Sequence, residues 1–197
     1  DYLEADGEHY LDTGISHQSG DQIDLRLSIK GLPTSVNSGI YGSRDGNGAN
    51  EVSVLAAHPA NASGRQILLD FWNSSSINDR LTAEFDGEYS DIFGKVLHLC
   101  LSRDAIYLDA EDGTYGSIRK KTATTITCSK TAYVFGCNEN WMNPRAACAE
   151  GVRLYEITIA RNGGPYCHYL PALDPDSGVA CLYDTVNNTY LVNTAAS

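Results

Sequence analysis

The 197-residue sequence is short of cations, of methionine and of long apolar runs. Its 14 Lys and Arg residues face 25 Asp and Glu, a formal charge of −11, and the one basic cluster is Arg119-Lys120-Lys121. So few cations displace little of the counterion atmosphere of a nucleic acid, and an acidic surface is repelled by anionic lipid headgroups. No stretch approaches the roughly 18 consecutive apolar residues of a membrane-crossing helix. Neither nucleic acid nor membrane insertion is therefore expected. Cys-x-x-Cys pairs are absent, and no histidine stands at zinc-finger spacing from two cysteines, so no zinc site is expected. Also missing are a Gly-x-Ser-x-Gly elbow and a phosphate loop, and His9, His17, His58, His98 and His168 are scattered. The chain opens on Asp1 with no basic, apolar leader behind it, which reads as a processed or excised domain.

What the sequence does have is alternation. From Gln22 to Lys30 every second residue is apolar and the others are polar, the mark of a strand with one wet face. The pattern returns over 95–102, through Leu97, Leu99 and Leu101. Over 152–159 the residues Val152, Leu154, Ile157 and Ile159 change phase near Tyr155, which predicts a β-bulge or a two-sided strand. Further strands are expected at 10–13, 39–43, 51–56, 66–72, 81–85, 105–109, 124–129, 132–136, 166–170, 179–183 and 190–192. Turn signals such as Asp112-Gly113, Asn162-Gly163-Gly164 and Asn187-Asn188 fall between them. No amphipathic helix beyond a turn or two, no Pro/Ser-rich linker and no internal repeat interrupts this. The expectation is one all-β domain over residues 1–197, an antiparallel two-sheet sandwich or barrel.

Six cysteines, Cys100, Cys128, Cys137, Cys148, Cys167 and Cys181, leave two readings open. An even number suits disulfides in an exported protein, and the local pairs Cys137 with Cys148 and Cys167 with Cys181 are then favoured. Buried free thiols are the alternative, because cysteine packs as a small hydrophobe.

Both ends resemble a known family. Tyr2-Leu3-Glu4-Ala5-Asp6-Gly7-Glu8-His9-Tyr10-Leu11-Asp12-Thr13-Gly14-Ile15 is similar to the opening of laminin-G-like jelly-roll domains, common in surface and secreted proteins of gut bacteria. Val152-Arg153-Leu154-Tyr155-Glu156-Ile157, Tyr169-Leu170-Pro171-Ala172, Gly178-Val179-Ala180-Cys181-Leu182-Tyr183-Asp184 and Asn187-Asn188-Thr189-Tyr190 resemble the family's closing segments in order. Ile40-Tyr41-Gly42-Ser43-Arg44 and Ala132-Tyr133-Val134-Phe135-Gly136 match its middle strands. Departures are His9 where glutamine is usual, Cys181 where glycine is usual, and an insert around 138–144. The resemblance implies a concanavalin A-like jelly roll, usually non-catalytic and often attached to adhesins or glycan-degrading enzymes. It names no ligand, since a fold is not a function.

Glu84-Phe85-Asp86-Gly87-Glu88 has the carboxylate spacing of some retaining glycosidases, but Asp86-Gly87 reads as a turn, so a polar strand end is expected there. The candidate binding residues are aromatic and polar. Trp72 shares a strand face with Leu68 and Asp70, opposite Ile67, Leu69 and Phe71. A sugar stacks its C–H face on such a ring while groups like Asp70 and Arg44 take its hydroxyls. The competing readings are a packing role for Trp72 and an ion pair of Arg44 with Asp70 or Asp86. Trp141, flanked by amides from Asn138 to Asn143, is the second candidate, against a role plugging the sandwich end. No cofactor is required; Asp45, Asn47 and Asn50 offer some oxygens for Ca²⁺ without an EF-hand pattern.

The expected function is a non-catalytic carbohydrate-binding or adhesion module, with Trp141, Trp72, Asn138, Arg44 and Asp70 as ligand-binding residues. Its partner would be a glycan or a host or cell-surface ligand, met as a monomeric domain of a larger exported protein, extracellular or at the cell surface. The alternative is a protein-binding or structural domain of a surface or phage-tail protein, and after it a glycoside hydrolase.

Overall fold

The alternating segments become strands in a computed structural model, which describes residues 1–7, 9–30, 37–45, 49–57, 67–72, 81–85, 91–114, 116–120, 125–139 and 151–192. No α-helix occurs among the described residues. The strands are β1 (Leu3–Glu4), β2 (Leu11–Gln18), β3 (Asp21–Ile29), β4 (Asn37–Asp45), β5 (Ala49–Ala57), β6 (Ile67–Trp72), β7 (Leu81–Phe85) and β8 (Val96–Ser102). They continue with β9 (Ala105–Ala110), β10 (Gly116–Lys120), β11 (Thr127–Val134), β12 (Asn138–Glu139), β13 (Val152–Arg161), β14 (Gly164–Leu173), β15 (Ala180–Asp184) and β16 (Thr189–Leu191).

They form two sheets. One runs β10-β9-β8-β3-β13-β14-β15-β16, with β1 added on β13; the other runs β2-β11-β4-β5-β6-β7, with β12 added on β4. We call these the long and the short sheet. Pairing is antiparallel except for β12 on β4. The alternation explains the layering. Ile23, Leu25, Leu27 and Ile29 of β3 and Leu97, Leu99 and Leu101 of β8 turn inward, against Val52, Val54 and Ala56 of β5 and Ile67, Leu69 and Phe71 of β6. All are essentially closed to solvent. Each such side chain contributes about 1.5–3 kcal/mol through burial, the main term holding the sheets together.

The phase slip near Tyr155 is a β-bulge: the β13–β3 register shifts between Leu154 and Glu156. The segments 124–129 and 132–136 differ from expectation. They merge into β11, because two register shifts on β2 absorb the irregularity between Thr127 and Tyr133. At Phe135 the chain takes a left-handed turn, φ 59°. It then returns as β12. The strand β10, which carries Arg119 and Lys120, was not foreseen.

A polar network ties the sheets together inside one end. The chain passes from the short sheet to the long one at Ser19-Gly20, so His17 of β2 and Asp21 of β3 meet across the crossing, Nδ1 to Oδ2 3.0 Å. A side chain on Gly20 would strike Asn162 Oδ1 at 2.0 Å. Arg161 of β13 donates to both Asp21 oxygens, at 2.7 and 2.9 Å, and His17 Nε2 lies 2.7 Å from the Tyr41 hydroxyl. His17, Asp21 and Tyr41 are fully buried. Burial raises the pKa of Asp21, but the bonds from His17 and Arg161 outweigh it and hold the carboxyl below its ordinary range.

Cys167 and Cys181 are unbridged thiols, which corrects the disulfide expectation for that pair. On the β14–β15 ladder Cys181 stands opposite Ala172, so Cys167 is out of reach. Cys100 and Cys128 are also buried thiols; burial pushes both up to about 12, so they stay protonated. Cys148 lies outside the described residues.

Candidate functional site

The outer face of the short sheet gathers the sequence candidates. Inward residues of β5 and β6 alternate with Glu51, Ser53, Leu55, Asp70 and Trp72, which therefore point away from the core. Register brings them into rows. Arg44 stands opposite Glu51, and Glu51 opposite Trp72, so a guanidinium, a carboxylate and an indole lie side by side. Directly opposed side chains on neighbouring strands are about 5 Å apart at Cβ. The next row runs Asp12, Tyr133, Gly42, Ser53, Asp70 and Thr82. Its centre has to be glycine: φ of Gly42 is 133°, and a Cβ there would lie 2.1 Å from Val52 O.

These groups are not a wet surface. Glu51 is 2% exposed and Asp70 0%, although both lie on the outer face. Removing carboxylates from water is costly unless they are bonded. The Ser53 hydroxyl donates to Glu51 Oε1 at 2.7 Å, and Arg44 Nε lies 3.5 Å from Glu51 Oε2. Arg44 and Trp72 remain half-buried. Toward β2 the face ends in an aromatic pair, with Tyr10 stacked on Tyr133 at 4.4 Å between ring centroids and 20° between planes. Burial, reinforced by Tyr10 and Asp12, pushes the Tyr133 phenol up and keeps it a hydrogen-bond donor.

Arg44, Asp70 and Trp72 thus share one face, but Asp70 presents no oxygen to solvent, so it underlies the face instead of reaching out from it. Asn138 does not join them. It pairs with Ser43, whose row faces the core, and its amide donates to Thr131 O at 2.9 Å, fastening β12 to β11. Trp141 lies outside the described residues, as do Asp86, Glu88 and the side chain of Glu84. The oxygens of the proposed calcium turn are also committed. Asp45 accepts from Ser129 N and Oγ and from Asn50 Nδ2, while Asn50 Oδ1 accepts from Thr127 N. Asp45 and Asn50 thus clasp β11; Asn47 is not described. No cluster of three or more His, Cys, Asp or Glu side chains suited to a metal occurs among the described residues. Glu51, Ser53 and Tyr133 were missed from the sequence. For the first two the signal existed, as the polar half of the alternation in β5.

No protein-family profile matches this chain, and no curated protein matches it in sequence. Solved structures do match. Mouse laminin α1 chain, domains LG4–5, aligns with a TM-score of 0.51 and 20% identity, covering 81% of this chain. The fold is a laminin-G-like jelly roll. A full-length tailspike protein of an Escherichia coli bacteriophage aligns with a TM-score of 0.55 and 9% identity, again over 81% of this chain. This chain spans 40% of the laminin chain and 22% of the tailspike. Scytalido-glutamic peptidase aligns with a TM-score of 0.43 and 9% identity, covering 91% of this chain and 93% of that one.

Proposed function

We propose that this jelly roll is a non-catalytic carbohydrate-binding or adhesion module of a larger exported protein, working outside the cell or at its surface. The observation that carries this reading is the row Arg44–Glu51–Trp72 on the outer face of the short sheet. An indole offers a flat apolar surface to the C–H face of a sugar ring, and the adjacent guanidinium, held by the enclosed carboxylate, bonds hydroxyls. A sheet holds all three at fixed spacing, so little entropy is lost on binding. In this reading Trp72 stacks on the ligand, Arg44 takes hydroxyls, and Glu51 and Asp70, both enclosed, position the row from beneath. Trp141, outside the described residues, is the second candidate anchor, while the Asn138 amide is engaged with Thr131.

A glycan array with and without Ca²⁺ identifies the ligand, and titration of a hit against Trp72→Ala and Trp141→Ala tests the site. Loss of a stacked anchor typically costs about 2 kcal/mol, roughly thirty-fold in affinity. Thermal melting controls for unfolding. Two folded variants that bind like the parent would exclude these residues as the site. Turnover of a β-glucan that Glu84→Gln abolishes would replace the binding reading by a hydrolytic one.

A further inference from the structure

Away from that face, one corner of the long sheet concentrates exposed apolar side chains. Tyr2, Leu173 and Val179 are 45%, 66% and 52% exposed. They flank two adjoining cavities of about 310 and 400 Å³, which share Leu3 and Ala180 and so make one groove between β1 and the β14–β15 hairpin. The groove exists because β13 divides one edge between two partners. Its C-terminal part pairs with β14 from Ile157 to Arg161, and its start pairs with β1 at Arg153 and Leu154. Beyond Tyr169, β14 leaves β13 and keeps only β15.

Both strands consequently show an open edge to the groove. Ala5 exchanges backbone hydrogen bonds with Val152 O and Gly151 N. By the two-residue alternation of antiparallel ladders, Leu3 also faces β13, and Tyr2 and Glu4 turn their N–H and C=O groups into the groove. On the hairpin, Thr185 N bonds His168 O and Asp174 N bonds Val179 O. The same alternation turns the C=O of Pro171, which has no N–H, and both backbone groups of Leu173 away from β15. No strand pairs with either open edge among the described residues.

The charge around the groove has mainly one sign. Asp1, Glu4 and Asp6 line it, with His9 the one basic side chain among the described residues of its lining. Asp174 and Asp176 stand beside Leu173 and Val179 at the hairpin turn. Glu4 is shared with Arg153 and Lys30, and Asp6 with His9, while Asp174 and Asp176 form no ion pair with a side chain among the described residues. A chain of charge −11 attracts a cationic occupant and repels a second copy of itself.

We propose that this groove docks an extended basic segment of a partner protein, added as a strand along the open edge. Its alternate apolar side chains seat in the Leu3/Ala180 cavities, and its lysines or arginines face the aspartates. Backbone hydrogen bonds supply affinity, and the acidic rim selects the sign of the peptide. The groove is separate from the Arg44–Glu51–Trp72 face, so either site can fail without the other.

The probe is a labelled alternating lysine–leucine heptapeptide, followed by fluorescence anisotropy against the parent protein, with a glutamate–leucine heptapeptide as comparison. The lysine peptide binds, high salt weakens it, and the glutamate peptide does not bind. Leu173→Lys and Val179→Lys each lower affinity by roughly tenfold or more. Both positions are exposed, so melting temperatures should hold. Glu111→Lys, on the β9–β10 turn, changes the charge by two units, more than either groove variant, but outside the groove, and leaves affinity near the parent value. Three results overturn the proposal: no binding by the parent, equal binding of both peptides, or equal losses in all three lysine variants. Self-association of the parent that Val179→Lys abolishes would instead make a second copy the occupant, which also overturns it.

Discussion

The two outer faces of the sandwich are written in the same alternating code and end in opposite states. On the long sheet, Asp24, Arg26, His98, Glu111, Glu156 and Thr158 surround a shallow pocket of about 190 Å³. Their pairs are wet: Arg26 and Glu111 are 43% and 41% exposed. His98 lies 3.5 Å from Asp24, and His168 Nε2 lies 2.8 Å from Glu156 Oε1, on the same open face. On the short sheet, Glu51, Ser53 and Asp70 occupy equivalent outward positions but are closed off. Period-2 alternation therefore fixes which way a side chain points. It does not fix whether water is there. A polar face removed from water must be bonded internally or reserved for a ligand, whereas a wet face needs neither. That contrast is why the candidate site is placed on the short sheet.

The contrast implies a gradient in what a carboxylate contributes, and the enclosed Asp21 is its upper limit. Asp21→Ala would leave Arg161 and His17 facing no anion inside the sandwich, a loss of about 3–5 kcal/mol. Urea unfolding at neutral pH measures it. Because the folded pKa of Asp21 is depressed, its contribution is present above the unfolded value of about 3.9 and disappears as pH falls through the folded value. Unfolding followed from neutral to acid pH should show a shallower acid limb in Asp21→Asn than in the parent. Identical limbs would mean that Asp21 does not link stability to pH.

The covered face should come next. Glu51→Ala removes the acceptor of the buried Ser53 hydroxyl and the carboxylate beside Arg44. A loss of about 2 kcal/mol follows from the cost of unsatisfied buried polar groups. Glu51→Gln retains an acceptor for Ser53 and should lose less. If Glu51→Ala unfolds at the same urea concentration as the parent, the two faces do not differ and the case for a reserved site weakens.

Much of this arrangement could be read before any coordinates. Alternation gave nearly all strand positions, and a phase slip of one residue located the bulge at Tyr155. Strand parity also put Trp72 on the face opposite Ile67, Leu69 and Phe71. What parity could not give was register. Glu51 stands opposite Arg44 because the hairpin register shifts between Arg44 and Asp45, next to the β4–β5 turn. Alternation within each strand does not show such a shift. The position of Asn138 was hidden for a related reason. In sequence it belongs to a run of loop amides, but the reversal at Phe135 turns it into a strand that is fastened to Thr131. The hydrogen-bond donors to Asp45 and Asn50 were likewise not visible, since those in β11 lie more than seventy residues away.

The smallest effect belongs to the wet face. Arg26 Nε and Nη2 form a forked pair with Glu111, and the Arg26 guanidinium also lies 5.5 Å from the Tyr155 ring centroid. The hydrogen bond from Arg26 holds the Glu111 carboxyl below its ordinary range. Yet both side chains are over two-fifths exposed, where water screens the attraction and ordering two long side chains offsets much of the gain. Glu111→Ala should therefore cost less than about 1 kcal/mol. Because the screening length falls from roughly 10 Å at 0.1 M salt to about 3 Å at 1 M, even that loss should shrink at high salt. The measurement is urea unfolding of parent and variant at both ionic strengths. A loss as large as that of Glu51→Ala, or one that salt leaves unchanged, would show that Glu111 is enclosed like its counterpart on the short sheet. The difference between the faces would then come from how individual residues pack and not from which sheet carries them.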